Sequence, residues 1–224
     1  MKKLLLLLLF IPLSGCSQKS YNDITSSASD IQLYNLKEIN LKDDNGTKII
    51  LYIPNDLENQ DNTISAKNPT IAMFESYNGI DEGFSMSIDK LYSRNTEKLS
   101  NQKYIEISEL GFKKEFGGNL NQIKKVLPPV YEDVKVVSMD FDLMIDGKFF
   151  GKRVLYCKDK RYKETYLYDS QITEYHYITL HNKRKYMFTI RSHSDKQNHS
   201  SLTALMNTIA GSIKFQWIHL LDTY

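Results

Sequence analysis

The densest set of metal-binding side chain types lies near the C-terminus, where His193, Asp195 and His199 fall within seven residues. Two imidazoles with a carboxylate can bind zinc, which would make this stretch the centre of a metal-dependent hydrolase. The same stretch reads as the loop and first turn before a helix, where Ser194 or Asp195 is more simply an N-cap. A spacing of six also puts the two histidines on different faces once the helix has begun, so no metal and no cofactor are expected. His176 and His181 are five apart on a strand and its turn, on opposite faces, and read as surface or half-buried histidines. Asp140 and Asp142 flank Phe141 and share a face. Paired carboxylates do acid–base work or bind calcium, but with Phe141 and Leu143 turned inward they read as a solvated strand face. Gly117-Gly118 lacks the lysine of a phosphate loop. Neither a G-x-S-x-G elbow nor an H-E-x-x-H pair occurs. The run Lys183-Arg184-Lys185 is a solubilising turn, or a contact for anionic headgroups or cell wall. No catalytic residue is assigned, and the chain is not expected to be an enzyme.

The remaining chemistry-bearing residue is Cys16. Lys2 and Lys3 precede an apolar run, Leu4 to Ile11, which Pro12 interrupts before Leu13-Ser14-Gly15-Cys16. A positive flank, a short apolar core and small residues before a cut are the parts of a secretory signal peptide. The run is about half of the ~20 residues that a spanning helix needs. Leu13-Ser14-Gly15-Cys16 resembles the bacterial lipoprotein lipobox, whose cysteine is acylated, as with palmitate, and becomes the first mature residue. The alternative is an ordinary cleaved signal peptide. One acyl chain binds membrane only marginally at about 0.8 kcal/mol per buried methylene; the two or three chains that the resemblance implies anchor stably. Ser17 is not the aspartate that resembles an inner-membrane retention signal, which points to the outer membrane, facing the periplasm.

Removing residues 1–15 takes away Lys2 and Lys3 and leaves 27 basic against 27 acidic residues. That balance argues against nucleic acid, which needs a basic stripe, and leaves membrane attachment to the lipid. Cys157 is then the one cysteine left beside the lipidated Cys16, so no internal disulfide is possible, and its neighbours Val154, Leu155 and Tyr156 suggest a buried strand position. Aromatic residues make up 12% of the chain, with fifteen tyrosines, a residue favoured on half-buried sheet faces.

Residues 16–30 are polar and serine-rich and read as a lipidated flexible tether, with a root-mean-square span of roughly 20 Å for its flexible part. Residues 31–224 read as one domain. Strands are expected near Leu33 to Leu41, over Lys48 to Ile53 after the turn Asp43-Asp44-Asn45-Gly46, over Thr70 to Phe74, and where Phe84, Met86 and Ile88 alternate with polar residues. Tyr104, Ile107 and Leu110 fit a helix that the Ser100 region could cap, and Leu120, Ile123 and Leu127 fit a second short one before Pro128-Pro129. Val134 to Met144 and Phe149 to Cys157 pair across Asp146-Gly147, a strong hairpin signal. Tyr162 to Tyr168 is another strand. Ile172 to Leu180 and Tyr186 to Arg191 form a hairpin across Asn182-Lys183. Leu202, Leu205, Met206, Ile209 and Ile213 mark an amphipathic helix, followed by a closing strand over Ile213 to Trp217. Strands, a helical insert, more strands and one packing helix imply an α+β fold, an antiparallel sheet with helices packed on it.

Two stretches in that order resemble the PsbP-like fold: Ile49-Ile50-Leu51-Tyr52-Ile53-Pro54, an early apolar strand closed by proline, and the unit of strand Tyr186 to Arg191, helix Leu202 to Ile209 and Ser212-Ile213-Lys214-Phe215. The resemblance covers about residues 32 to 217 and includes small envelope lipoproteins of the DcrB type. It implies a binding, stabilising or assembly role and supplies no catalytic residue set. The expected function is therefore a cell-envelope lipoprotein, anchored to the membrane through lipid on Cys16, with a non-enzymatic domain that binds an envelope protein partner. The alternatives are a periplasmic small-ligand carrier, a toxin-immunity lipoprotein, and the metal-dependent hydrolase at His193, Asp195 and His199.

Overall fold

The structure, a computed structural model, describes residues 20–44, 46–60, 70–76, 83–91, 98–116, 131–159, 170–193 and 199–217. Residues 1–15, read above as a signal peptide, Cys16, Gly117-Gly118, and the stretches 120–127 and 162–168, where a second short helix and a strand are expected, lie outside the described residues.

In chain order the elements are β1 (Asn22–Asp23), α1 (Ala28–Leu33), β2 (Leu36–Lys42), β3 (Thr47–Pro54), β4 (Glu58–Asn59), β5 (Thr70–Glu75), β6 (Gly83–Leu91), α2 (Asn101–Phe116), β7 (Tyr131–Ile145), β8 (Lys148–Asp159), β9 (Ser170–His181), β10 (Arg184–His193), α3 (His199–Gly211) and β11 (Lys214–Trp217). They form an α+β fold. One sheet has eight strands in the order β1-β7-β8-β9-β10-β6-β5-β4, and a second has three in the order β11-β3-β2. Every pairing is antiparallel except β1 with β7.

Both expected hairpins form with the turns their sequences call for. Asp146 and Gly147 have φ of 48° and 69°, and Asn182 and Lys183 have 48° and 64°. Positive φ at both central residues is the turn whose twist matches paired strands. Four consecutive strands, β7 to β10, therefore meander with both tight turns at the same end of the sheet. Ser100 caps α2 as expected, accepting from the Lys103 amide at 3.2 Å.

The eight-stranded sheet is covered on both faces. Tyr175 and Tyr177 of β9 join the main core with Ile49, Leu51, Ile53, Phe188, Met206 and Ile209, so α3 and the small sheet lie on that side. Ile178 and Leu180, one residue out of step, join Tyr104, Ile105 and Phe141 under α2. This explains why every residue of β9 from Ile172 to Leu180 is buried: a central strand with two covered faces has no solvent side. Cys157 is buried beside Val134 and Ile172, as its neighbours implied.

Three expectations are corrected. First, residues 20–30 are not a free tether. The Ile24 amide bonds to the Met144 carbonyl at 2.9 Å, and the Ile24 side chain packs against the main core. The Tyr21 ring lies 4.7 Å from that of Phe149. Ser27 and Asp30 close a capping box on α1. The folded domain thus starts by Tyr21 rather than at residue 31. Second, Leu33 ends a helix, and the strand begins at Leu36. Third, Phe141 and Leu143 are both buried, as expected, but on opposite sides of the sheet, so they do not alternate with Asp140 and Asp142 toward one inward face. The β7–β8 register shifts between Asp140 and Leu143, and Phe141 enters the α2 cluster whereas Leu143 enters the main core. A bulge adds a residue to one strand and re-aims its side chains. Gly151 accommodates the re-aimed ring: a Cβ there would sit 2.6 Å from Phe141 Cδ1.

Candidate functional site

The long strands β7 and β8 diverge from α3 and leave a cavity of about 470 Å³. Lys135, Val136 and Val137 of β7, Lys152 and Tyr156 of β8, and Thr203 of α3 line it. Its outer lip is a sheet edge. β1 pairs with β7 only at Leu143 and Met144, so from Val134 to Phe141 the outer side of β7 has no strand neighbour among the described residues. Val137 and Met139 on this stretch are 55% and 38% exposed. Unpaired backbone beside exposed apolar side chains is a surface that accepts another chain.

Lys152 is the charged group of the cavity. Strand alternation sends it to the α3 side and its neighbour Arg153 to the other. Its Nζ donates to Asn207 Oδ1 at 2.9 Å and lies 5.7 Å from the ring centres of both Tyr175 and Tyr177, close enough for cation–π attraction. Tyr177 donates to the same Asn207 oxygen at 3.3 Å, and the Tyr175 and Thr203 hydroxyls are 3.2 Å apart. Lys152, Tyr175 and Tyr177 are thus held at their polar tips by Thr203 and Asn207 of α3. Burial lowers the Lys152 pKa, with the charge of Asp140 opposing. Lys152 has no carboxylate within ion-pair distance among the described residues. A half-desolvated ammonium at the edge of an apolar groove suits a carboxylate or phosphate carried on an apolar body.

A second polar cluster lies on the α2 side. Arg191 Nε donates to Glu174 Oε1 at 2.6 Å, the other Glu174 oxygen is 3.0 Å from His176 Nε2, and Arg153 Nη2 is 3.4 Å from His176 Nδ1. The arrangement fits a neutral imidazole that donates from Nε2 and accepts at Nδ1. Burial lowers the His176 pKa, reinforced by the two arginines and resisted by the Glu174 hydrogen bond. For Glu174, burial works upward, but the His176 hydrogen bond and the Arg191 charge outweigh it and hold the carboxyl at about 2. Glu174 is 2% exposed, and the guanidinium of Arg153 stacks 4.8 Å from the Phe112 ring. This is a hydrogen-bonded chain of two arginines, a carboxylate and a neutral imidazole that joins β8, β9 and β10 under α2.

His176 is thus a buried, partnered residue rather than a surface one. His181 is half-buried, stacked 4.6 Å from Phe215, and its pKa falls to about 4 through burial and the nearby Lys148 charge. Of the Lys183-Arg184-Lys185 run, Arg184 pairs with Asp44 at 3.0 Å and Lys185 lies over the Tyr104 ring. His193 closes β10 and His199 opens α3, but their side chains and Asp195 lie outside the described residues, as does Cys16. Among the described residues no group of three His, Cys, Asp or Glu is placed to hold a metal. Sequence reading missed Lys152, Asn207 and the Glu174 cluster. Lys152-Arg153 and Glu174 interrupt apolar strand runs, and that was the available signal.

No family model matches the chain, and no curated protein matches it. Solved structures do. The cyanobacterial PsbP protein CyanoP from Synechocystis is similar to 81% of this chain over 92% of its own length, at a TM-score of 0.52 and 12% identity. The fold is PsbP-like. The Ran-binding protein Mog1p of Saccharomyces cerevisiae aligns with 80% of the chain and 95% of its own at a TM-score of 0.46 and 8% identity. LpqN, involved in cell envelope biogenesis of Mycobacterium tuberculosis, aligns with 85% and 96% at 0.43 and 12%. In this chain β3, α3 and β11 form where the two quoted stretches implied a strand, a helix and a closing strand.

Proposed function

We propose that the chain is a membrane-anchored cell-envelope lipoprotein whose PsbP-like domain is a non-enzymatic binding or assembly module. The lipobox-like Leu13-Ser14-Gly15-Cys16 supports the anchor, and Ser17 after it supports the outer membrane, facing the periplasm. No helix among the described residues is long and apolar enough to cross a membrane. The observation that carries the binding role is the groove of Lys152 beside the open edge of β7. An envelope partner would add an extended segment along Val134 to Phe141 and place a side chain in the groove. Anchoring confines both to one thin layer and raises their effective concentration. Saturable binding of the purified chain to envelope extract is expected, with Val137→Asp and Lys152→Glu each abolishing it while the far-ultraviolet spectrum is unchanged. Binding indifferent to both substitutions would remove the groove from the account.

The size of the cavity favours one second reading, a small-ligand carrier, because 470 Å³ falls in the range of ligand sites. Native mass spectrometry of gently extracted protein separates the two: a carrier brings a stoichiometric small molecule with it, and a partner-binding module does not.

A further inference from the structure

The ordered N-terminal segment fixes which end of the domain meets the bilayer. Tyr21 is held by two residues at the turn end of the large sheet: its hydroxyl accepts from Gln102 Nε2 at 3.1 Å, and its ring packs on Phe149. Five residue steps separate Cys16 from Tyr21. At 3.3–3.6 Å per residue they reach at most about 18 Å, against the far longer reach of a tether running to residue 30. Lipid on Cys16 would therefore hold the turn end close to the headgroups.

That end carries a second cavity, of about 450 Å³, between the Asp146-Gly147 and Asn182-Lys183 turns. Gln102 and Phe149, the two residues holding Tyr21, line it, together with Lys148, His181 and Lys183. Among the described residues that line it there is no carboxylate. Of the described acidic groups nearby, Asp44 is engaged by Lys90 and Arg184, Asp146 by Lys148 at 3.8 Å and Glu106 by Lys103 at 3.0 Å, while Asp43, whose charge reaches His181, is buried and accepts from the Tyr186 hydroxyl at 2.7 Å. The other surface near the anchor is the β1–β7 edge, which bears Asp23 beside Met144 and, further along β7, Asp140, and would be repelled by an anionic leaflet.

We infer that the turn end of the sheet is a membrane-facing surface, and that the cavity between the two turns receives the phosphate of an anionic phospholipid headgroup. The inference rests on acylation of Cys16. It leaves the groove of Lys152 on the flank, open to a partner in the same layer. Lys135, at the other end of β7, stands about 30 Å further from the bilayer, at ~3.3 Å per strand residue.

The test uses the full lipidated chain in vesicles of phosphatidylethanolamine and phosphatidylglycerol containing a headgroup-linked quencher. A fluorophore is placed at Lys98→Cys beside the turn end or at Lys135→Cys at the far end; both positions are exposed, and buried Cys157 does not label. Several-fold stronger quenching at position 98 than at 135 is expected. It should weaken in the Lys148→Glu, Lys183→Glu double variant, be retained with arginine at both positions, and be weaker in phosphatidylcholine vesicles. Equal quenching at the two positions, or stronger quenching at 135, overturns the inference while leaving the anchor intact. Unequal quenching that ignores both the charge reversal and the lipid charge overturns the headgroup cavity. Intact-mass analysis of the same samples reports the acyl group separately, and its absence overturns the anchor and, with it, this inference.

Discussion

At the scale of single residues, the structure's charged groups are committed to one another more than the sequence suggests. Glu174 is nearly inaccessible and serves Arg191 on one side and His176 on the other. Removing one partner of such a pair leaves an uncompensated charge, which costs 3–5 kcal/mol when both are fully buried. Because Arg191 is 35% exposed, Glu174→Gln is expected to cost about 2 kcal/mol, below that range, read from urea unfolding. The pH response has a definite sign. His176 and Glu174 both titrate lower in the fold than their ordinary values of 6.5 and 4.5, Glu174 at about 2. Below pH 6.5 the unfolded chain takes up a proton that the buried imidazole refuses, and below 4.5 another that Glu174 refuses. Their stabilisation is thus complete above pH 6.5 and drains away as pH falls toward 2. In His176→Gln the part of that slope between 6.5 and 4.5 should flatten relative to wild type; an unchanged slope would mean the imidazole is not the neutral, buried group described. The sequence showed that Glu174 and Lys152 interrupt apolar runs. It did not show that Arg191 and Asn207 meet them, because those partners come from other elements and only the register brings them together.

At the scale of elements, the hairpins were legible and the N-terminal segment was not. Asp146-Gly147 and Asn182-Lys183 declare their turns through local backbone preference, which needs no tertiary partner. The helix α3 was equally plain from its apolar spacing. Residues 20–30 carry two anchors, Tyr21 and Ile24, among polar residues, so their order depends on the domain they touch rather than on their own pattern. A capping-box pair, Ser27 and Asp30, was the local sign that composition hid. Gly211 is what lets this segment lie on α3. A Cβ there would fall 2.9 Å from the Thr25 carbonyl carbon and 3.1 Å from Ile24 Cγ2. Gly211→Leu is therefore expected to free residues 22–27, seen as faster amide exchange there with β9 still protected, at a cost of about 1–3 kcal/mol. Unaltered exchange at Ile24 would show that the contact does not hold the segment. The bulge in β7 has its own test. Gly151→Ala drives a methyl into the Phe141 ring and should cost a similar 1–3 kcal/mol, whereas the same change at Gly147 meets no atom within 4 Å and strains only the turn.

At the scale of the whole molecule, the α+β class and the PsbP-like order of elements follow from patterns that one sequence carries: alternating strands, two tight turns and one amphipathic helix. Two sheets instead of one did not, since only β3, β11 and β2 pairing apart from the rest reveals the split. The position of the groove likewise depends on how far α3 sits from β7, a distance no local pattern sets. What joins these scales is the proposed anchor. A domain that folds up to Tyr21 and is tied by lipid at Cys16 would work at a membrane, with the β7 edge presented to neighbours in that layer. The most direct measurement is labelling with radioactive palmitate, followed by membrane separation, of the wild-type chain and Cys16→Ala in the same bacterial host. Label on the wild type in the membrane fraction, with the variant unlabelled and released, is the expected result. Two unlabelled chains, both recovered as soluble protein, would contradict the anchor and leave the domain without the confinement on which its proposed role depends.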